Sequence, residues 1–172
     1  MKASDITDDM IAEGISRNEA IFGIKMDPSA VRKALKNGGM GMPSFEEFSK
    51  SAGSHILDMM LTELDKIIEK IGHCTGIEGE ETAQGIIAGR QELIEMAVRN
   101  CNTELIAHAF TVFETENSLL SKLSRGSVCR LLSSDMNLTP LRHKIIEYHE
   151  ATITLAKKIL ELEKKNDQET NP

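Results

Sequence analysis

Arg142 and His149, seven residues apart in LRHKIIEYHE (141–150), are the side chains of this sequence best suited to chemistry, and His143 stands beside the arginine. A guanidinium can hold a phosphate through two parallel hydrogen bonds. An imidazole titrates near neutral pH, so it can take and return a proton at a ribose hydroxyl or a leaving oxygen. Seven residues is nearly two helical turns, which puts Arg142 and His149 on one face of a helix. A second cluster is basic: Lys25, Arg32, Lys33 and Lys36, with no acid between Pro28 and Lys36. Arg32 and Lys36 are four apart and share a face, a pattern that suits the phosphates of nucleic acid. Metal chemistry has less to work with. Glu104 and His108 are four apart, and His143, Glu147 and His149 lie close together, but no ExxH motif recurs on two helices. No metal and no cofactor is expected.

These side chains need a scaffold, and the composition predicts an all-α one. There is no Trp, one Tyr and five Phe against nine Met, so the residues that favour strands are scarce. Leu, Ile, Ala, Met, Glu and Lys favour helices because their side chains lose little rotamer freedom there. The net charge of −7 argues against a chain that coats nucleic acid, while leaving room for a local basic patch. Cys74, Cys101 and Cys129 are odd in number and form no CxxC, which fits a reducing compartment and no disulfide framework. The polar start MKASDITDD and the absence of a long apolar run predict a cytoplasmic protein that does not cross a membrane.

The helical period is clearest in the second half. Pro140, after Thr139, starts a helix expected to run to about Lys165. Ile145, Tyr148, Thr152, Leu155, Ile159 and Leu162 form one apolar seam along it. Ile146, His149, Ile153, Ala156 and Leu160 form an adjacent one. Two seams make a wide face, suited to more than one neighbour. Upstream, Phe45, Phe48, Ala52, Ile56, Met60, Leu64, Ile67 and Ile71 predict a long helix closed by Gly72. Apolar residues from Ala83 to Leu123 keep a helical period, in one helix or in two separated at Asn100–Asn102. Gly85 and Gly89 lie inside it, each costing about 1 kcal/mol against Ala, which a close helix crossing would offset.

The first 39 residues are punctuated as three short helices. Ser4 or Thr7 caps the first and Gly14 ends it; Ser16 and Glu19 form a capping box for the second; Asp27 and Pro28 start the third. GMGMP-type punctuation then makes residues 40–43 a linker, and Met40 and Met42 within it are candidates for contact with a partner. The expected plan is therefore a small N-terminal three-helix module (1–39), an antiparallel bundle of three to five long helices (44–165), and a disordered tail (166–172).

Two family resemblances bear on function. ISRNEAIFGIKMDPSAVRKALKNGG is similar to a helix-turn-helix: Ala20, Ile24, Met26 and Val31 fall at the apolar inter-helix positions and Asp27 at the cap of the recognition helix. Ile21 and Lys25 replace the small residue and the glycine usual there. The resemblance implies DNA contact through Lys25, Arg32, Lys33 and Lys36. LRHKIIEYHE resembles the signature of the HEPN ribonucleases, all-α proteins, with Arg142, His143 and His149 in the motif positions. That resemblance implies metal-independent RNA cleavage in a cleft shared by two protomers. The leading expectation is a non-enzymatic regulatory or adaptor protein that forms a homo-oligomer through its bundle and binds DNA or a partner protein through its N-terminal module. In general plan it is similar to phage small-terminase subunits and to bundle-dimerised repressors. The HEPN-like ribonuclease is the first alternative. A pure protein-interaction module, such as a chaperone or inhibitor, is the second.

Overall fold

The structure, a computed structural model, describes residues 6–22, 25–36, 45–77, 81–132 and 135–171. Among them the chain is all-helical: α1 (Asp8–Phe22), α2 (Pro28–Lys36), α3 (Phe45–Gly72), α4 (Ala83–Arg99), α5 (Asn102–Thr115), α6 (Arg125–Leu131) and α7 (Thr139–Thr170), with a 3-10 turn at Leu119–Lys122. No strand occurs among the described residues, and no helix among them is long and apolar enough to cross a membrane. The contacts divide the chain into two compact units, Met1–Asp58 with Gly126–Ser133, and Met59–Arg125 with Ser134–Pro172. The division falls inside α3. The expected linker at 40–43, with Met40 and Met42, lies outside the described residues.

In the first unit, α1 and α2 pack together. α1 is one helix where two were expected. Gly14 is exposed within it, and Glu13 and Arg17 bridge the glycine with a 2.7 Å ion pair one turn apart. Continuing the helix keeps the amides of Ser16 and its neighbours bonded, which outweighs the propensity cost of a single glycine. Ser16 therefore starts no helix. Thr7 does cap α1, its Oγ1 accepting from Met10 N–H at 3.3 Å. Asp27 caps α2 as the sequence indicated: its Oδ1 accepts from Ser29 N–H at 3.2 Å, with Pro28 at the first helical position. Hydrogen bonds from Ser29 hold the Asp27 carboxyl below its ordinary pKa. The unit buries Ile11 and Ala34, together with Ala52, Ile56, Leu57, Val128 and Leu132.

The second unit is built on α7. Thr139 is its first helical residue, and its N–H donates to Asn137 Oδ1 at 3.1 Å, so the cap lies before Thr139. Pro140 fits the first turn, where no N–H is needed. The helix continues to Thr170, past the expected end at Lys165. Its buried residues Ile145, Tyr148, His149, Ile153, Leu155 and Ala156 belong to the two seams read from the sequence. Leu162 does not follow them and is 55% exposed.

The principal partner of α7 is α4, and the two run antiparallel. Arg142 meets the backbone of Ala97, His149 meets Arg90, and Ala156 shares a small core with Ala83 and Ile86. Each step of seven along α7 thus meets a step of seven back along α4, the spacing of a heptad seam. The neighbour α5 buries Leu105, Ile106, Ala109, Phe110, Val112 and Phe113. α3 contributes Met60, Leu64, Ile67 and Ile71, and Asp65 on it pairs with Lys144 of α7 at 2.7 Å.

The stretch from Ala83 to Leu123 resolves into α4, α5 and the 3-10 turn. α4 stops at Asn100, and Glu104 Oε2 accepts from Cys101 N–H at 2.9 Å to start α5. Asn117, with φ 54°, ends α5 in the left-handed region that Asn tolerates best after Gly. That turn changes the helical phase and leaves Leu119 77% exposed, although the sequence period placed it inside.

Candidate functional site

The three motif residues of α7 have separate roles. Arg142 Nη1 donates to the carbonyl oxygens of Ala97 (2.8 Å), Val98 (2.9 Å) and Asn100 (3.0 Å). Those carbonyls close the C-terminal end of α4 and lack partners within their own helix. A cation in the first turn of α7 opposes that helix's dipole, but the same cation at the C-terminus of α4 is favourably placed. Arg142 is thus a helix-end clamp. His143 is exposed. His149, only 1% exposed, turns inward and lines a cavity of about 650 Å³ within the second unit. Neither Arg142 nor His143 lines that cavity.

The cavity brings His149 together with residues from two other helices. Arg90 of α4 lies with Nη1 3.0 Å from His149 Nδ1. His108 of α5 lies with Nε2 2.8 Å from His149 Nε2. The chemistry of the three groups fixes where the protons are. A guanidinium only donates, so His149 Nδ1 accepts and the ring carries its hydrogen on Nε2. That N–H donates to His108 Nε2, which leaves the His108 hydrogen on Nδ1. The Asn100 side-chain nitrogen lies 3.5 Å from this last nitrogen, but it too is a donor and cannot accept from it. A one-way chain therefore runs Arg90 to His149 to His108.

Both imidazoles are held neutral. Burial, then the Arg90 charge, then His108 push His149 down to about 3. Burial and Arg90 lower His108 as well. Tyr148 completes the wall. Its ring lies under the Arg90 guanidinium, 5.0 Å from ring centroid to carbon, and its hydroxyl donates to Glu116 Oε1 at 2.8 Å. Burial is the chief reason its phenol is raised to about 12.

Gly85 and Gly89 explain why there is room. Both are exposed and both line the cavity. A Cβ built on Gly89 meets nothing within 4 Å, so the glycines mark open space and not the close crossing expected from the sequence. At Gly85 the nearest atom is Thr82 Oγ1, 3.1 Å away, the group that caps α4 by accepting from Gly85 N–H.

The basic residues of the N-terminal pair are partly spent on the pair itself. Arg32 is paired with Asp8, and Lys25 lies 3.9 Å from Glu19. Lys33 and Lys36 are exposed. No cluster of three or more His, Cys, Asp or Glu side chains suited to a metal ion occurs among the described residues. Cys74, Cys101 and Cys129 are free thiols.

Arg90, Asn100 and Tyr148 had no assigned chemistry in the sequence, and His108 was weighed only as a metal ligand. The signal that could have found them is the pair of glycines four apart inside α4, costly in a helix unless something else needs the space. No family model, curated protein or solved structure matches the chain.

Proposed function

We propose that this chain is a non-enzymatic helical regulatory protein whose second unit is a small-molecule receptor. The observation that carries this is the cavity itself, lined by a positive charge, two neutral imidazoles and apolar walls. Its volume of about 650 Å³ lies within the range of ligand sites, roughly 300–1,000 Å³, and its mix of apolar lining with few polar groups is typical of them. The N-terminal helix pair is the proposed contact for DNA or a partner protein. Exposed Lys33 and Lys36 are its available cations, because Arg32 serves the pairing of α2 with α1. Assembly into a homo-oligomer through the helical bundle belongs to the same proposal.

The test is a thermal-shift screen of a charge-diverse fragment set against wild type and Gly89→Phe, which fills the cavity from a site with open space. Fragments that raise the melting temperature of wild type and not of the variant support a receptor. An absence of any such fragment contradicts it.

Ribonuclease activity is the alternative that the His108–His149 pair keeps in view, since two imidazoles and a guanidinium line one cavity. General acid–base catalysis needs groups that titrate near the working pH. His149 at about 3 is neutral throughout that range, and its two nitrogens are already hydrogen-bonded. Receptor function is therefore preferred. RNA degradation by wild type that is lost in His149→Ala would reverse the preference.

A further inference from the structure

Arg90 is a half-buried cation whose near neighbours are neutral: the His149 imidazole and the Tyr148 ring. Among the described residues no carboxylate lies within ion-pair distance of it. A buried charge without a counter-charge is costly, and the guanidinium has five donors, of which His149 and the Tyr148 hydroxyl take two. The adjacent His108 Nδ1–H faces the Asn100 side-chain nitrogen, itself a donor, at 3.5 Å. The cavity thus presents a planar cation with unused donors, where an acceptor is missing.

The charge balance selects the head group. One cation faces the cavity, while Glu81 and Glu104 also line it, and Glu104 is held at the start of α5 by Cys101 N–H. A doubly charged phosphate would meet one cation and two carboxylates. A carboxylate carries a single charge and matches the guanidinium fork with two parallel bonds. The walls select the rest of the molecule. Ile86, Leu93, Met96 and Val112 line the same cavity, and Met96 is 44% exposed there, an apolar surface that a hydrocarbon would cover.

We infer that the cavity binds an amphipathic monocarboxylate, its head on Arg90 and its tail along Ile86, Leu93, Met96 and Val112. The inference rests on the receptor function proposed above and specifies its ligand class. Both carboxylate oxygens accept from the free edge of the Arg90 guanidinium, as two parallel bonds. The His149 ring, hydrogen-bonded to Arg90, fixes the orientation of the guanidinium and contributes no charge. Gly89 leaves the space in which the tail lies.

A head-group series with a common tail tests this on the unaltered full-length chain: octanoate, octanol and octylamine, each titrated by calorimetry at neutral pH. Octanoate is expected to bind at least about tenfold more tightly than octanol, the scale of one charge-assisted contact, with octylamine weaker than both. Arg90→Gln keeps an amide donor for His149 and is expected to bring octanoate down to the level of octanol, while Gly89→Phe abolishes binding of all three. Equal affinity for octanoate and octanol, or tighter binding of octylamine to Glu81 and Glu104, overturns the carboxylate inference and leaves the receptor standing. Binding of all three that survives Gly89→Phe places them outside the cavity and overturns the inference. Failure of all three to bind overturns it too, and the fragment screen then decides separately whether the receptor function falls with it.

Discussion

His149 Nε2 lies 2.8 Å from His108 Nε2, and because Arg90 donates to the far side of the His149 ring, the hydrogen between the two imidazoles belongs to His149. This relationship gives each ring a defined tautomer, and burial with the Arg90 charge holds both neutral. Several measurable properties depend on it.

Stability should fall on mild acidification. The unfolded chain takes up a proton at His149 near pH 6.5, but the folded chain resists until about 3. The stabilising contribution of the neutral ring is therefore fully present above about pH 6.5 and is lost as the pH falls toward 3, at about 1.4 kcal/mol per pH unit. His108, also lowered, acts in the same direction. Urea unfolding at pH 7.5 and 5.5 is expected to show a larger loss for wild type than for His149→Gln, which keeps an N–H donor and removes the titration. Equal losses would mean that the ring is already protonated or solvated.

Arg142 should matter for stability and not for ligand. Its Nη1 serves three carbonyls at the end of α4, so Arg142→Ala is expected to cost about 2–3 kcal/mol in urea unfolding, the scale of charged hydrogen bonds lost from one partner. Arg142→Lys should recover only part of this, since an ammonium lacks the planar fork. A stable Arg142→Ala protein that fails only in ligand or RNA binding would show that the residue faces a substrate.

Much of this was legible in the sequence, and the exceptions have physical causes. Asp27–Pro28, Gly72 and the double seam of α7 could be read because caps, breakers and heptads are local features. Gly14 was misleading because a helix stop depends on what the next turn gains by continuing, here the Glu13–Arg17 pair. Leu119 was misleading because a period read across Asn117 ignores the change of direction at its positive φ. In the site, His149 was visible as a member of a buried seam, but the Arg142–His149 spacing suggested a shared role. Two residues on one helical face can still meet different partners: the end of α4 for one, Arg90 and His108 for the other. Arg90 was invisible because a lone arginine in an amphipathic helix has no local mark. Only the tertiary fold brings it to one histidine 59 residues away on α7 and to the cavity shared with another on α5.

Gly89 should be replaceable by a small side chain with a gain. A Cβ there meets nothing within 4 Å, and Ala is better than Gly in a helix, so Gly89→Ala is expected to raise stability by about 0.5–1 kcal/mol. Gly85→Ala should gain less, because its Cβ would crowd Thr82 Oγ1 at 3.1 Å and disturb the cap. A destabilised Gly89→Ala in thermal unfolding would mean that the cavity is closed over this position.

Tyr148 is the only tyrosine, which makes its titration readable by the ultraviolet absorbance of phenolate. Raised to about 12 by burial, it should be only about one-tenth phenolate at pH 11 in the folded protein and titrate near 10 after unfolding. Its stabilising contribution is complete below about pH 10 and is lost as the pH rises through about 12. Folded protein that ionises near 10 would show the phenol to be open to water.

The most direct test of a receptor cavity is the histidine side-chain NMR spectrum during addition of the charge-diverse fragments. The chain has five histidines; His55, His73 and His143 are exposed and outside the cavity, while His108 and His149 line it. The predicted result is that bound fragments move the ring signals of His108 and His149, leave the other three in place, and move none of the five in Gly89→Phe. Ring signals of His108 and His149 that stay fixed for every fragment, or that move equally in Gly89→Phe, would contradict it.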